Sequence, residues 1–276
     1  MSDLSVKANE IRRLVLEQVY NAKSGHPGGS LGIAEILAVL YFYEMNVDPS
    51  NPKNPERDRL VLSKGHCSPA LYAALALKGF FSVESLKNFR KVDSFLQGHP
   101  SLKDVPGVDM STGSLGQGIS AAAGIAYAAK LDNKNYNVFA VMGDGELQEG
   151  QAWEAFMFAA HYNLHNLCAI IDLNGLQCDG DVSAVMSHSP LDQKLKAFNW
   201  NVIEIDGNNI SAIQNALKTF KNNKTQPTAI IAKTIKGKGV SYMENNAGWH
   251  GMAPNDEEYK QAMEEINTEL GALNHE

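Results

Sequence analysis

The chain has 276 residues, 44% of them hydrophobic and 20% charged, with a formal net charge of −7. That size and balance suit one large globular domain spanning 1–276, and the mildly acidic surface argues against nucleic acid or an anionic membrane as the main partner. Three cysteines without a CxxC pair, no apolar run of membrane-spanning length and an N-terminus lacking a signal peptide's apolar core point to a cytoplasmic protein.

Asp3 to Ala22 places Leu4, Ile11, Leu14, Val15 and Val19 near one face and reads as an amphipathic helix. Ser24 to Gly32, SGHPGGSLG, is expected to be a non-helical glycine-rich turn feeding the apolar helix IAEILAVLYFY. Asn46 to Arg59 is a Pro/Asn-rich loop, and Leu60 to Leu62 a short strand. Ser68-Pro69 reads as an N-cap with proline at N1, opening an Ala/Leu helix and leaving Lys64, Gly65, His66 and Cys67 on a strand-to-helix turn. Cys67 is expected to be a small filler and not a nucleophile. Phe81 to Phe95 is predicted to be a helix with a basic face, and QGHPS to be a proline turn carrying His99. Thr112 to Leu131 is a glycine loop followed by a helix of small residues; its GxxGxG spacing is not the dinucleotide fingerprint.

The most informative stretch runs from Asn137 to Asn174. Val138 to Met142 has the apolar character of a strand buried on both faces, Gly143-Asp144-Gly145 breaks it, Gln151 to Tyr162 supplies a helix, and Leu167 to Ile171 a second buried strand. A right-handed βαβ unit puts both strand ends on one rim, so Asp144 and Asn174 are expected to meet there. Hard oxygen ligands of this kind suit Mg²⁺ or Ca²⁺, and the glycines allow a diphosphate to approach the backbone. Cys178 to Leu191 reads as an irregular loop, and two further helix–strand pairs with buried strands complete an alternating pattern with a parallel sheet. A long loop follows, carrying Lys236, Lys238 and His250, and Tyr259 to Leu273 closes as an acidic helix. Four histidines, His26, His66, His99 and His250, lie in loops, where imidazoles can move protons and bond hydroxyls; no spacing supports zinc. His161, His165, His188 and His275 are given no functional role.

GDGELQEG followed by DLNGLQCDGDV resembles the signature of the thiamine-diphosphate enzymes, and SGHPGGSLG, LVLSKGHCSPALYA, GHP, TGSLGQG and the HG after Trp249 resemble transketolase motifs in that family's order. The resemblance implies the thiamine-diphosphate-binding fold, an α/β parallel sheet flanked by helices on both faces. It also implies a metal, Mg²⁺ or Ca²⁺, held by Asp144, Asn174 and the Leu176 carbonyl. His26, His66, His99 and His250 would then be the catalytic, substrate-facing histidines. Gly113, Ser114, Leu115, Gly143, Asp144, Gly145, Glu146 and Asn174, with His66, would lie against the cofactor, and Glu149 matches an acid at the contact between cofactor sites.

In the family the chain continues into a pyrimidine-binding and a C-terminal domain, which carry the glutamate that activates the aminopyrimidine and the arginines that clamp sugar phosphate. The resemblance therefore implies the N-terminal subunit of a split transketolase. Such a subunit would pass a two-carbon ketol unit from a ketose phosphate to an aldose phosphate within an α2β2 assembly, and only with a separate C-terminal subunit. A deoxyxylulose-phosphate-synthase-like ketol transferase subunit, or a non-catalytic scaffold subunit that keeps the pocket, are the alternatives.

Overall fold

The computed structural model describes residues 2–273, so His275 lies outside the described residues. The amphipathic opening is helix α1 (Ser2–Ala22), followed by α2 (Pro27–Gly32) and α3 (Ala34–Val39), which passes into a π-helical turn at Leu40–Glu44. Strand β1 (Arg59–Leu62) leads through a 3₁₀ turn to α4 (Ser68–Lys78) and, much later, α5 (Gln117–Leu131). The central unit is β2 (Val138–Gly143), α6 (Gly150–His161) and β3 (Leu167–Leu173). A small hairpin, β4 (Leu176–Gln177) with β5 (Gly180–Asp181), precedes α7 (Val182–Met186), α8 (Leu191–Ala197), β6 (Asn201–Asp206), α9 (Ile210–Asn222), β7 (Thr228–Lys233) and α10 (Asp256–Leu273).

Among the described residues the main sheet has five parallel strands in the order β1-β2-β3-β7-β6. Strand periodicity divides its side chains between two cores. Phe139, Val141, Cys168 and Ile170 join one core with α1, α3, α4 and α9, whereas Val138, Ala140, Met142, Ala169 and Ile171 join the other with α5, α6 and α8. Both faces of β2 and β3 are thus covered, which accounts for the apolar runs Val138–Met142 and Leu167–Ile171. Strand β6 sits at the edge and is only half buried, so the expectation that its strand is buried like β7 is corrected.

Four further expectations are corrected. The SGHPGG stretch is helical from Pro27, despite a cost of about 1 kcal/mol for each interior glycine. Its glycines let backbones touch: a Cβ on Gly28 would stand 2.9 Å from the Trp249 carbonyl oxygen, and one on Gly32 equally close to that of Ile235. Phe81–Phe95 is not an α-helix; only Val83–Asn88 coils, as a 3₁₀ turn, before Arg90 and Asp93 take positive φ. Buried Phe89, Leu86 and Leu96 fix that segment by tertiary packing instead of helical repeat. Cys67, not Ser68, occupies the N-cap of α4, because the Ser68 hydroxyl donates to the Gly98 carbonyl. The stretch from Cys178 to Leu191 contains β5 and α7, the latter capped by Asp181, whose side chain accepts from the Ser183 N–H.

Candidate active site

Because the strands run parallel, the C-terminal ends of β1, β2, β3 and β7 share one rim, and a cavity of about 350 Å³ opens there. At the tip of β2, Asp144 is 2% exposed. Its Oδ1 accepts the Gly145 N–H at 2.8 Å, and its Oδ2 reaches across to the Gly175 N–H at 2.6 Å. Gly175 has φ +77°, a left-handed turn that suits glycine and swings the chain back at the end of β3. Asn174, just before it, accepts the Leu176 N–H on Oδ1 at 3.1 Å and donates through Nδ2 to Asp172 Oδ2 at 2.8 Å. The side chain of Asp144 is thereby tied to the residue that follows Asn174, and Asp144, Asn174 and Leu176 all line the cavity.

This acceptor set fits a divalent cation. A carboxylate, an amide oxygen and a backbone carbonyl are hard oxygen donors, and burial, followed by the neighbouring charge of Asp172, pushes the Asp144 pKa up to about 6. A carboxylate so placed is stabilised by a nearby cation. Among the described residues there is no group of three or more His, Cys, Asp or Glu able to hold a metal; the set at the strand tips is of another kind, since two of its three oxygens are amide and backbone.

Two lysines whose roles sequence reasoning left open lie on the same cavity, each 2% exposed. The Lys64 ammonium pairs with the Asp172 carboxylate and donates to the Gly29 carbonyl at 3.2 Å. Burial is the largest single influence and works against its charge, but Asp172, Cys67 and Asp144 together outweigh burial and the net shift is upward. Lys236 donates to the Leu176 carbonyl at 3.0 Å and contacts His250 Nδ1 at 2.9 Å; burial and then the charge of Lys64 pull it downward. Lys236, together with Lys64 even when paired with Asp172, places positive charge on the cavity wall, which complements an anion. The available signal was position: Lys64 lies just past the apolar end of β1, after Ser63, and Lys236 just past β7, after Thr234 and Ile235.

Three of the four predicted histidines come together. Ring centroids of His26 and His66 lie 5.1 Å apart, those of His66 and His250 5.3 Å, and those of His26 and His250 5.4 Å. Burial is the largest cause in each case, with neighbouring His66, Lys64 and Lys236 next, and the pKa values fall to about 4 for His26, about 4 for His66 and about 3 for His250. All three imidazoles are therefore neutral at pH 7. The Lys236 ammonium has only donors, so His250 Nδ1 accepts and its ring proton resides on Nε2. Among the described residues His26 Nδ1 is buried without a hydrogen-bond partner, a polar atom at the cavity wall.

The other predicted residues divide between the cavity wall and its surroundings. His99 is exposed and stands outside the cavity wall, its ring packed where a Cβ on Gly113 would come within 3.0 Å of it. Ser114 is exposed and also off the wall, whereas Gly113, Leu115, Gly143 and Gly145 line it. The Glu146 carboxylate is spent on the protein: it accepts the Ser63 hydroxyl, the Gly116 N–H at 2.9 Å and the Gly143 N–H at 3.1 Å, tying together the loops after β1, before α5 and after β2. Glu149 is exposed at the N-cap of α6, on the cavity's edge. Cys67 is buried, and burial raises its thiol pKa, as expected of a filler.

The family described as transketolase, thiamine diphosphate binding domain, matches residues 4–271. The chain belongs to the transketolase family. It is 46% identical to the 6-deoxy-6-sulfo-D-fructose transketolase subunit SqwG of Clostridium sp. (strain MSTE9), covering 97% of each chain. It is 42% identical to one subunit of the apulose-4-phosphate transketolase of Phocaeicola vulgatus, over 99% of this chain and 97% of that one. Human transketolase is 43% identical over 95% of this chain, which spans 42% of that longer protein. The crystal structure of Campylobacter jejuni transketolase superposes with a TM-score of 0.91 at 36% identity, covering 97% of this chain and 43% of that one. The match thus falls on the N-terminal, diphosphate-binding part of transketolase, and the parallel sheet covered on both faces is the family's thiamine-diphosphate-binding fold.

Proposed function

We propose that the chain is the catalytic N-terminal subunit of a split, cytoplasmic transketolase, transferring a two-carbon ketol unit from a ketose to an aldose, with sugar phosphates as the substrate class. The observation that carries this is the juxtaposition, in one cavity, of the Asp144, Asn174 and Leu176 oxygens with three neutral imidazoles. Asp144, Asn174 and the Leu176 carbonyl would hold Mg²⁺ or Ca²⁺, and Lys64, Lys236, His66 and Gly145 would face the cofactor's diphosphate. Thiamine diphosphate, when bound, supplies the nucleophilic carbon that cleaves and forms the carbon–carbon bond. The chain's own part is positional and protonic. His250 presents Nε2–H as a donor, His26 and His66 are uncharged groups able to accept or return a hydroxyl proton, and the strand-tip glycines keep backbone close to the anion.

The cavity opens on one rim, and the two relatives matched end to end bear names as subunits of transketolases. Those two facts support a partner that completes the site with a pyrimidine-binding domain, in an α2β2 assembly with Glu149 at the contact between sites. The test is reconstitution: purified chain with thiamine diphosphate, Mg²⁺, a ketose phosphate and an aldose phosphate gives no turnover, and adding a pyrimidine-domain partner restores it. Ketol transfer by the chain alone refutes the split arrangement.

A further inference from the structure

For Asn174 to serve a cation it must show the cavity its amide oxygen and not its NH₂ group, and nothing in an asparagine side chain alone decides between them. Asp172, one residue before the end of β3, is 0% exposed and faces three donors: the Lys64 ammonium, the Thr234 hydroxyl and Asn174 Nδ2. A carboxylate paired with an ammonium only accepts, so the 2.8 Å contact commits the NH₂ group of Asn174 to the interior. Oδ1 is left beside the Leu176 N–H, the residue whose carbonyl is the third oxygen of the set.

We infer that Asp172 is a positioning residue: it fixes the amide orientation of Asn174, and the same carboxylate anchors Lys64 at the cavity wall. The inference rests on the metal reading of the site given above. Asp172 touches neither substrate nor cofactor; it acts through the two groups that would. Its place in the sheet makes this rigid, because β3 is bonded on both sides, with Asp172 in register with Gly143 of β2 and Ala232 of β7. Outer hydrogen-bond partners of metal ligands typically govern metal affinity by about 10–100-fold.

The test uses the full chain, ¹⁵N-labelled, with the Asn174 side-chain NH₂ signals identified by their loss in Asn174→Asp. In the wild type those protons exchange with solvent more slowly than those of exposed Asn133, and Asp172→Asn removes the protection. Mn²⁺ binding in the presence of thiamine diphosphate and the reconstituting partner, read by electron paramagnetic resonance, weakens about 10–100-fold in Asp172→Asn. The reciprocal double variant D172N/N174D, in which an amide at 172 donates to a carboxylate at 174, recovers most of that loss, which a purely structural role for Asp172 does not predict. Wild-type Asn174 protons exchanging as fast as those of Asn133 overturn the inference whether or not any variant folds, and so does undiminished Mn²⁺ affinity in Asp172→Asn. Absence of Mn²⁺ binding by the wild type refutes the metal reading instead, and the exchange comparison still decides the role of Asp172.

Discussion

On the strand-tip side of the cavity Asp144 has its pKa pushed up to about 6, by burial first and by Asp172 second; on the histidine side His26, His66 and His250 fall to about 4, 4 and 3, again by burial first. The same low-polarity setting penalises charge on both sides, yet with opposite consequences. The carboxylate cannot escape its pairing with the Gly145 and Gly175 N–H groups, so it is stabilised by an incoming cation. The imidazoles shed their protons and become uncharged hydrogen-bonding groups. A metal–diphosphate pole and a proton-handling pole thus arise from one physical effect acting on two residue types.

The comparison breaks most severely at its anionic side. Asp144→Ala removes a direct ligand and should lower Mg²⁺-dependent affinity for thiamine diphosphate by more than the roughly 10–100-fold typical of losing an outer partner; calorimetry with the partner present measures it, and an unchanged affinity separates Asp144 from the metal. On the other side, His26→Ala and His250→Ala should each lower turnover of the reconstituted enzyme by about 10²–10⁴-fold, the scale of proton-transfer assistance, with metal affinity within about threefold. Equal losses in both quantities would merge the two poles into one.

Titration sharpens the contrast. Protons compete with the metal for Asp144, so metal affinity should drop about tenfold per pH unit below about 6, where the three histidines are still neutral. Stability follows a different balance. The imidazoles bind protons more weakly folded than at their ordinary 6.5, so their contribution to stability is lost as pH falls from there toward about 4. Asp144, whose folded pKa is raised, works in the opposite direction between its ordinary 3.8 and about 6. His99, His165 and His188, also lowered by burial, act with the three imidazoles, and Glu146, raised by burial, acts with Asp144. The histidines prevail, so the chain is less resistant to urea at pH 5 than at pH 7, and greater resistance at pH 5 contradicts the assignment. The smallest effect is expected at His99, exposed and outside the cavity wall: His99→Ala should cost the reconstituted enzyme about tenfold or less, below the loss from His26→Ala in the same assay.

How much of this could be read from sequence differs by region for physical reasons. The β2–α6–β3 unit was legible because both strands are buried on two faces and the Gly-Asp-Gly break falls between them, so periodicity and turn chemistry agree. The stretch from Pro27 to Gly32 was misread because glycine's helix penalty is a local quantity, whereas the close approach of that helix to Trp249 and Ile235 is not. Phe81 to Phe95 has helix-forming residues, but buried Phe89 and the left-handed Arg90 answer to packing from distant segments. The gathering of His26, His66 and His250 followed from their loops lying on one rim, while His99 is exposed and packs beside Gly113, which lines the cavity, without lining it itself. Lys64 and Lys236 were marked in the sequence only by their position just past β1 and β7; their partners, Asp172 and the Leu176 carbonyl, account for their burial.

The most direct measurement is anomalous diffraction from Mn²⁺ in crystals of the chain with its partner and thiamine diphosphate. The account predicts a single strong peak about 2.0–2.3 Å from an Asp144 carboxylate oxygen, Asn174 Oδ1 and the Leu176 carbonyl oxygen. A peak at any other set of ligands, or a bound cofactor whose diphosphate ignores the tips of β2 and β3, contradicts it.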